Sequence, residues 1–251
     1  METGLATWTL LEADFDWRVP LVVLGAGLAR RMGPQRAGRS KVELPIRPGD
    51  PRGLMLDGIV AAWAPWASEL ILVSRTSDPR LERLLGRQPL PARTHLQPEP
   101  LGTTSALLGL RDELPERFLV VLGDCLFDGR LCAAASCFPG LAVWPQAEPS
   151  ATRANYGVRL RGNRVLELEE KPARVAADQV CGLGAYFLDR ALLSLLERQA
   201  PDARGRRELT DGLALALAQG IDLHAVQLSG RYFNINTPDD LARAQTWFGP
   251  R

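Results

Sequence analysis

The sequence predicts an α/β fold built on a mostly parallel sheet with helices on both faces. In the first half of the chain, continuous apolar runs typical of strands buried on both faces alternate with segments of helical spacing. The 251 residues are 46% hydrophobic, which is enough for one large core, and no internal repeat or linker divides them. A single domain is therefore expected.

The first half of the chain shows a regular alternation of strands and helices. Its strands are expected at Pro20–Leu24, Glu69–Ser74, Arg93–Leu96 and Arg117–Leu122. Helices are expected between them at Leu56–Trp66, Pro79–Leu85 and Thr103–Leu110. Because parallel strands need long crossover connections, this region predicts the parallel part of the sheet.

The second half has more strands and fewer helices between them. Strands are expected at Leu141–Trp144, Tyr156–Leu160, Arg164–Glu170, Leu183–Leu188 and Leu223–Leu228, the second and third of them forming a hairpin. Helices are expected at Arg190–Arg198, Leu209–Ala218 and Pro238–Trp247. The last of these helices has Thr237 as its N-cap and a proline at its first position, both typical of helix starts.

Composition excludes several classes of partner. Lys and Arg total 30 against 29 for Asp and Glu, so the chain lacks the basic excess of a nucleic-acid-binding protein. No window approaches about 18 consecutive apolar residues, and the N-terminus lacks the apolar core of a signal peptide. The four cysteines form no CxxC pair, so we expect reduced thiols in a cytoplasmic protein that binds neither nucleic acid nor membrane.

The loop after the first strand combines small residues with cations. Gly25 and Gly27 are followed by Arg31 and Lys41. Small residues let backbone N–H groups approach phosphate oxygens, and cations neutralise them. Neither a third glycine closing onto a helix nor a G-K-[ST] sequence is present, so the dinucleotide fingerprint and the P-loop are both disfavoured. The spacing favours a triphosphate site over a solvated basic turn.

Asp124 directly follows the buried strand Arg117–Leu122, where ligands gather in a parallel sheet. By itself this aspartate is more typical of a turn, but its position beside the glycine loop favours a role in holding Mg²⁺. Asn234 or Asn236 would add a neutral oxygen, although either residue is equally typical of a turn.

Two further pairs have polar groups suited to substrate binding. Gln97 has an amide donor and acceptor, and Gly102 leaves the backbone accessible, so the pair is suited to contact the edge of a nucleotide base. The alternative interpretation is a proline-rich loop that caps the following helix. Glu170 and Lys171 are suited to bind the hydroxyls and the phosphate of a substrate. The alternative interpretation is an edge strand with solvated charges.

Taken in order, these motifs resemble the nucleotidyltransferase family that includes the sugar-1-phosphate nucleotidylyltransferases, from about Leu21 to about Trp247. The resemblance implies a single three-layer α/β/α Rossmann-like domain of GT-A type with a mixed, mostly parallel central sheet. On this basis we expect a nucleotide-binding half at about 20–125, an acceptor-binding half at about 140–247 and an N-terminal extension at 1–18. The implied reaction transfers a nucleoside monophosphate from an NTP to a phosphorylated acceptor, with Mg²⁺, and releases pyrophosphate.

The resemblance also implies roles for individual residues. The catalytic residues would be Arg31, Lys41 and Asp124. Nucleotide binding would fall to Leu24, Gly25, Ala26, Gly27, Gln97, Gly102 and Thr103. The acceptor would be bound by Tyr156, Gly157, Glu170, Lys171 and Glu208. The metal ligands would be Asp124 and Asn234.

Departures from the family pattern leave the substrates open. Ala29-Arg30-Arg31 replaces the usual G-T-R and, with residues 234–238 (NINTP), looks like the molybdenum-cofactor guanylyltransferase branch, whereas Glu170-Lys171-Pro172 looks like the sugar branch. A sugar-1-phosphate is the preferred acceptor, because Tyr156-Gly157 and Glu170-Lys171 supply groups that bind hydroxyls. The alternatives are a phospho-alcohol cytidylyltransferase, a molybdenum-cofactor guanylyltransferase and, in a different class, a catalytically inactive nucleotide-binding regulatory domain. The base and any assembly into a homo-oligomer stay open.

Overall fold

A computed structural model describes residues 11–27, 32, 40–133 and 137–249, and within them a single mixed sheet of eleven strands forms the centre of the molecule. In chain order the strands are β1 (Leu11–Glu12), β2 (Val19–Leu24), β3 (Ala67–Ser74), β4 (Ala92–Leu96), β5 (Arg117–Leu122), β6 (Cys125–Cys132), β7 (Gly140–Trp144), β8 (Tyr156–Arg161), β9 (Arg164–Glu170), β10 (Gln179–Asp189) and β11 (His224–Asn234). The helices are α1 (Met55–Trp63), α2 (Pro79–Leu85), α3 (Thr103–Leu108), α4 (Pro149–Ala154), α5 (Arg190–Leu196), α6 (Leu209–Ala218) and α7 (Pro238–Phe248).

The parallel part of the sheet is formed by the strands of the first half. Strands β5, β2, β3 and β4 lie side by side in that order, and each neighbouring pair is parallel. The apolar run of β2 is buried on both faces, as the continuous hydrophobic pattern predicts. In the parallel register Leu24 pairs with Leu122, so the carboxyl ends of β2 and β5 lie next to each other.

Beyond β5 the sheet becomes largely antiparallel. Strand β10 pairs antiparallel with β5, and β8 and β9 form the predicted hairpin, whose turn contains Gly162 at a φ of +62°. Strand β6 was not predicted, because Gly129 and Asp128 in its middle resemble a turn. It pairs antiparallel with β11, which extends to Asn234 rather than ending at Leu228 as predicted. This pairing places Asn234 opposite Cys125, directly beside Asp124.

Helices cover both faces of the sheet and produce the predicted three layers. One face packs against apolar residues of α1, α2 and α7, among them Trp63, Leu84 and Leu241. The other face packs against α3, α5 and α6, with Leu107 and Leu213 among the contacts. Among the described helices none is both long and apolar enough to cross a membrane.

Three helical segments differ from the prediction. Helix α1 ends at Trp63 and continues as a 3₁₀ turn at Ala64–Trp66, because Pro65 cannot donate the backbone hydrogen bond that an α-helix needs. Helix α3 ends at Leu108 rather than Leu110. The short helix α4, which begins with a proline in its first turn, was not predicted.

The described part of the predicted N-terminal extension packs against the sheet. Phe15 stacks on Trp17, with their ring centroids 4.6 Å apart, and both rings meet the edge of Phe187 in β10. Strand β1 pairs with β6. Ala13, Phe15 and Trp17 therefore pack against the apolar core.

Candidate active site

The loops that follow β2 and β5 approach each other closely at the edge of the parallel sheet. The Gly123 N–H donates to the Leu24 carbonyl oxygen at 3.0 Å, and the Gly25 N–H donates to Val73 O at 2.8 Å. A Cβ on Gly123 would lie 2.9 Å from Leu24 O and 3.0 Å from Gly25 Cα. Glycine at position 123 is therefore what allows this approach, and it brings Asp124 beside the first loop.

A cavity of about 250 Å³ lies over these loops. All residues predicted to bind the nucleotide line it, namely Leu24, Gly25, Ala26, Gly27, Gln97, Gly102 and Thr103. Three residues of the other predicted sets join them: Lys41, Asp124 and Glu208. The remaining lining residues, which were not predicted, are Pro100, Ala106, Leu122, Gly123 and Arg206. The structure thus brings together in one cavity residues 24–27, 97–103 and 206–208, which are far apart in sequence.

Lys41 is one of two cationic residues, with Arg206, among the described residues that line this cavity. It begins a 3₁₀ turn that Ser40 caps, with Glu43 completing the capping box, and the Ser40 hydroxyl also donates to Gly25 O at 2.7 Å. The Lys41 ammonium donates to Asp124 Oδ2 at 2.7 Å and to Asn236 Oδ1 at 2.7 Å. The Lys41 and Asp124 side chains are only 13% and 22% exposed, so this is a largely buried ion pair.

Asp124 is also held from the side away from Lys41. The buried Cys125 thiol lies 3.4 Å from Asp124 Oδ1 as a donor, and its sulfur lies 2.9 Å from the Tyr232 hydroxyl. Burial raises the pKa of Cys125 well above its usual value, with the Asp124 charge adding to the effect, so the thiol keeps the proton that it donates. The Ile235 N–H donates to the Asp124 backbone carbonyl at 2.8 Å. Cys125 of β6 thus holds the carboxylate, while Ile235, after β11, holds the backbone of the same residue.

Asn234, the last residue of β11, and Asn236 form a hydrogen-bonded pair of amides. Asn236 presents its Oδ1 to Lys41 and donates through Nδ2 to Asn234 Oδ1 at 2.6 Å. Among the described residues no group of three or more His, Cys, Asp or Glu side chains is placed to hold a metal ion. The oxygen donors next to Asp124 are therefore neutral amides, and carboxylate and amide oxygens are the ligand types that Mg²⁺ prefers.

Gln97 and Gly102 are joined directly to each other. The Gln97 side-chain amide donates to the Gly102 carbonyl at 3.1 Å, and the Gln97 backbone N–H donates to Ser74 O at the end of β3. Gly102 has a φ of +97°, and a Cβ there would lie 2.3 Å from the Arg207 carbonyl oxygen. The glycine is thus required by its conformation and by the close approach of the backbone at Arg207.

Glu208 and Thr103 cap each other's helices. Glu208 Oε2 accepts from the Thr103 N–H at 3.2 Å and from its hydroxyl at 3.0 Å, at the start of α3. The Thr103 hydroxyl in turn accepts from the Leu209 N–H at 2.7 Å, at the start of α6. Glu208, which was predicted to bind the acceptor, therefore contacts Thr103, which was predicted to bind the nucleotide. This contact joins the start of α3 in the first half of the chain to the start of α6 in the second.

The other residues predicted to bind the acceptor are not in this cavity. Tyr156 is only 4% exposed and its hydroxyl donates to Leu183 O, so the side chain is held in the core, and its role in binding the acceptor stays a prediction. Burial also raises its pKa well above the usual value. Gly157 is buried, and a Cβ there would lie 3.0 Å from the Gln179 side chain. Glu170 and Lys171 pair at 2.7 Å at the exposed end of β9.

The sequence prediction and the structure differ in which residues they cover. Arg31, predicted to be catalytic, lies outside the described residues, as does the rest of 28–31. Conversely, sequence reasoning missed Cys125 and Tyr232, because the pairing of β6 with β11 that brings them together beside Asp124 was not predicted, and it missed Asn155, which contacts Asn234. It also missed Arg206, whose basic neighbours at 204 and 207 gave no reason to single it out.

Comparisons with known proteins match most of the chain. The Nucleotidyl transferase family model matches residues 21–247. The bifunctional protein GlmU of Methanococcus maripaludis strain C5 is 28% identical over 230 residues, covering 90% of this chain and 54% of that protein. The UTP–glucose-1-phosphate uridylyltransferase AglF of Haloferax volcanii is 26% identical over 163 residues, covering 59% of this chain and 63% of that protein. The chain thus spans about half the length of GlmU.

A solved structure has the same fold. A UDP-glucose pyrophosphorylase determined with UDP-glucose is 17% identical and superimposes with a TM-score of 0.74, covering 92% of this chain and 98% of that one. The family match spans both the cavity and the strands beyond it. The chain therefore belongs to the Nucleotidyl transferase family.

Proposed function

We propose that this chain transfers a nucleoside monophosphate from an NTP to a sugar-1-phosphate, giving an NDP-sugar and pyrophosphate. The observation that carries the proposal is the placement of Lys41 Nζ, 2.7 Å from both Asp124 Oδ2 and Asn236 Oδ1, in the same cavity as Gln97 and Gly102. The activity for which the uridylyltransferase relative is named and the UDP-glucose in the similar structure support a sugar phosphate as acceptor.

In the proposed reaction an oxygen of the acceptor phosphate attacks the α-phosphorus of the NTP. A new phosphorus–oxygen bond forms there, the bond from the α-phosphorus to the bridging oxygen breaks, and pyrophosphate leaves with that electron pair. Two anions must come together, so the task of the protein is to neutralise and align them. Lys41 would stabilise charge at the α-phosphate, and Arg31 would hold the leaving pyrophosphate.

The two proposed halves divide substrate binding. In the half at about 20–125, Gln97 and Gly102 would read the base edge. In the half at about 140–247, Glu170 would accept from sugar hydroxyls and Lys171 would neutralise the acceptor phosphate.

The residues around Lys41 fit Mg²⁺. The Asp124 carboxylate and the Asn234–Asn236 amides are hard oxygen donors, and Asp124 Oδ2 and Asn236 Oδ1 already converge on one cation, the Lys41 ammonium. When bound, Mg²⁺ would neutralise negative charge on the nucleotide phosphates. A cytoplasmic location, where NTPs are supplied, is part of this proposal.

A pyrophosphate-release screen tests the proposal. The purified protein is incubated with Mg²⁺ and each of ATP, CTP, GTP, UTP and dTTP, crossed with glucose-1-phosphate, N-acetylglucosamine-1-phosphate, phosphocholine and molybdopterin. We expect release with one base and a sugar-1-phosphate. Release with phosphocholine or molybdopterin alone would reassign the acceptor, and nucleotide binding with no release for any pair would favour a regulatory domain.

A further inference from the structure

A chain of side-chain hydrogen bonds runs from Lys41 into the interior of the protein. The Lys41 ammonium donates to Asn236 Oδ1 at 2.7 Å, and Asn236 Nδ2 donates to Asn234 Oδ1 at 2.6 Å. Asn234 Nδ2 then donates to Asn155 Oδ1 at 2.8 Å, and Asn155 Nδ2 donates to the backbone carbonyl of Ala151 at 2.9 Å. Three consecutive amides thus connect the cavity to helix α4.

The direction of this chain is determined by its two ends. An amide side chain has two orientations that exchange its oxygen and its NH₂ group, and its hydrogen-bond partners decide between them. A lysine ammonium can only donate, and a backbone carbonyl can only accept. Reversing any one of the three amides would place oxygen against oxygen on one side and an NH₂ group against another N–H donor on the other. The pattern therefore turns all three oxygens toward Lys41.

Asn155 is the amide that the backbone fixes most firmly. It follows α4, and its N–H donates to Ala151 O at 3.0 Å. Its carbonyl accepts from the Lys171 N–H at 3.0 Å, and the Tyr232 hydroxyl lies 3.4 Å from its Oδ1 as a donor. Asn155 does not line the cavity described above, so its effect on that cavity passes through Asn234.

We propose that Asn155 is a positioning residue, which holds Asn234 and, through it, Asn236 with their oxygens directed toward Lys41 and Asp124. Without the Asn155 acceptor, the Asn234 amide would keep only the bond from Asn236 Nδ2 to orient it, so the reversed amide, with NH₂ in place of the oxygen, would be populated more than in the wild type. An NH₂ group cannot bind a cation. This inference rests on the proposed function, in which these oxygens face a metal–nucleotide complex.

Replacing Asn155 should weaken nucleotide binding in the presence of the metal ion and leave nucleotide binding without metal intact. Replacing a residue that orients metal ligands typically weakens metal affinity by about 10- to 100-fold. The residues proposed to contact the base, Gln97 and Gly102, belong to a different loop and have no bond to this chain of amides. Binding without metal should therefore be nearly unaffected.

The test measures nucleotide affinity by calorimetry with Mn²⁺ and, separately, with EDTA. The probes are the α,β-methylene analogues of the five nucleotides in the screen. The variants are measured with the analogue that the wild-type protein binds. The variants are Asn155→Leu, which removes both bonds, Asn155→Ser, which leaves room for water, and Asn155→Asp, which keeps an acceptor for Asn234. Matched controls are Asn163→Leu and Asn163→Ser in the β8–β9 turn, and thermal unfolding reports folding.

We expect Asn155→Leu and Asn155→Ser to weaken binding about tenfold in Mn²⁺ while leaving it within about twofold of wild type in EDTA. Asn155→Asp should lose less than either, and the Asn163 controls should not change. Folded variants that bind the Mn²⁺ complex as the wild type does, or that lose affinity equally in Mn²⁺ and EDTA, would overturn the positioning role alone. A wild-type protein without any metal-dependent binding would overturn the proposed metal site and this inference together.

Discussion

The two halves of the chain each have a lysine–carboxylate pair of the same length but in different surroundings. Lys41 and Asp124 meet at 2.7 Å, and so do Lys171 and Glu170. The first pair joins residues 83 positions apart and is 13% and 22% exposed, whereas the second joins neighbours that are 66% and 39% exposed. Equal distances therefore do not mean equal roles, because burial and outside partners determine how firmly each charge is held.

The surroundings of the buried pair explain its rigidity. Asp124 accepts from Cys125 as well as from Lys41, and Lys41 also donates to Asn236. Lys171, in contrast, is held mainly through its backbone, with a φ of +45° and an N–H bonded to Asn155 O. We infer that the first pair is organised before substrate arrives, whereas the second is free to rearrange around an acceptor.

The largest expected effect comes from removing the buried cation. Lys41→Met should lower kcat for pyrophosphate release by at least about 10²–10³-fold, because a preorganised charge at the reacting phosphate is lost. Asp124→Asn should have an effect of similar size. Stopped-time assays of pyrophosphate release measure both, and circular dichroism verifies folding. A Lys41→Met variant that keeps turnover close to the wild type would remove the distinction between the two pairs.

A smaller effect, on a different parameter, is expected at the exposed pair. Lys171→Met and Glu170→Gln should raise KM for the sugar phosphate about tenfold, because a charge-assisted hydrogen bond contributes about 1.5–3 kcal/mol. The KM for the nucleotide and the thermal midpoint should not change. Initial rates at varied concentrations of each substrate separate the two constants. A fall in kcat with unchanged acceptor KM would contradict the assignment of this pair to acceptor binding.

The halves also differ in how much of them the sequence predicts. The strands β2, β3 and β5 are predictable because continuous apolar runs buried on both faces have few other interpretations. Strand β6 could not be predicted, since Asp128 and Gly129 interrupt its apolar pattern and only the pairing with β11 makes it a strand. Local pattern thus predicts every strand of the parallel half and, beyond it, the β8–β9 hairpin, whereas long-range pairing decides β6 and the full length of β11.

The candidate site also combines residues that local sequence pattern predicts with residues that only the fold brings together. The cavity residues from Leu24 to Gly27 are predictable because they follow a recognisable strand. Tyr156 was assigned to the acceptor from its place in a motif, and only the fold shows that its hydroxyl bonds to Leu183 inside the core. The direction of the Asn234 and Asn236 amides depends on Asn155, some 80 residues earlier, and no local signal shows it.

A moderate effect on stability is expected where the two halves are joined. Glu208→Ala removes both bonds to Thr103 and the negative charge at the start of α3, and it should lower the free energy of unfolding by about 1 kcal/mol. Glu208→Gln keeps a side-chain oxygen and should lose less than Glu208→Ala. Urea unfolding followed by fluorescence measures both. Equal losses in the two variants would show that charge, rather than the oxygen acceptor, determines the contribution.

The smallest expected effect tests the acidic charge on the acceptor side. The pKa of Asp211, in the first turn of α6, is raised by burial and by the charges of Glu170, Glu208 and Asp202. The folded protein therefore binds more protons than the unfolded chain between the usual aspartate pKa of 3.8 and the raised value. Stability contributed by this group is present at the acid end of that window and is lost as the pH rises through it.

Replacing Asp211 by Asn should therefore become more favourable, relative to wild type, as the pH rises from about 4 to 7, within the roughly 0.5 kcal/mol usual for surface substitutions. Thermal midpoints of both proteins across this range give the difference. Asp112→Asn, at a side chain that is 90% exposed, provides the control and should show no such trend. The opposite slope for Asp211→Asn would mean that the α6 N-terminus stabilises its charge more than its acidic neighbours repel it.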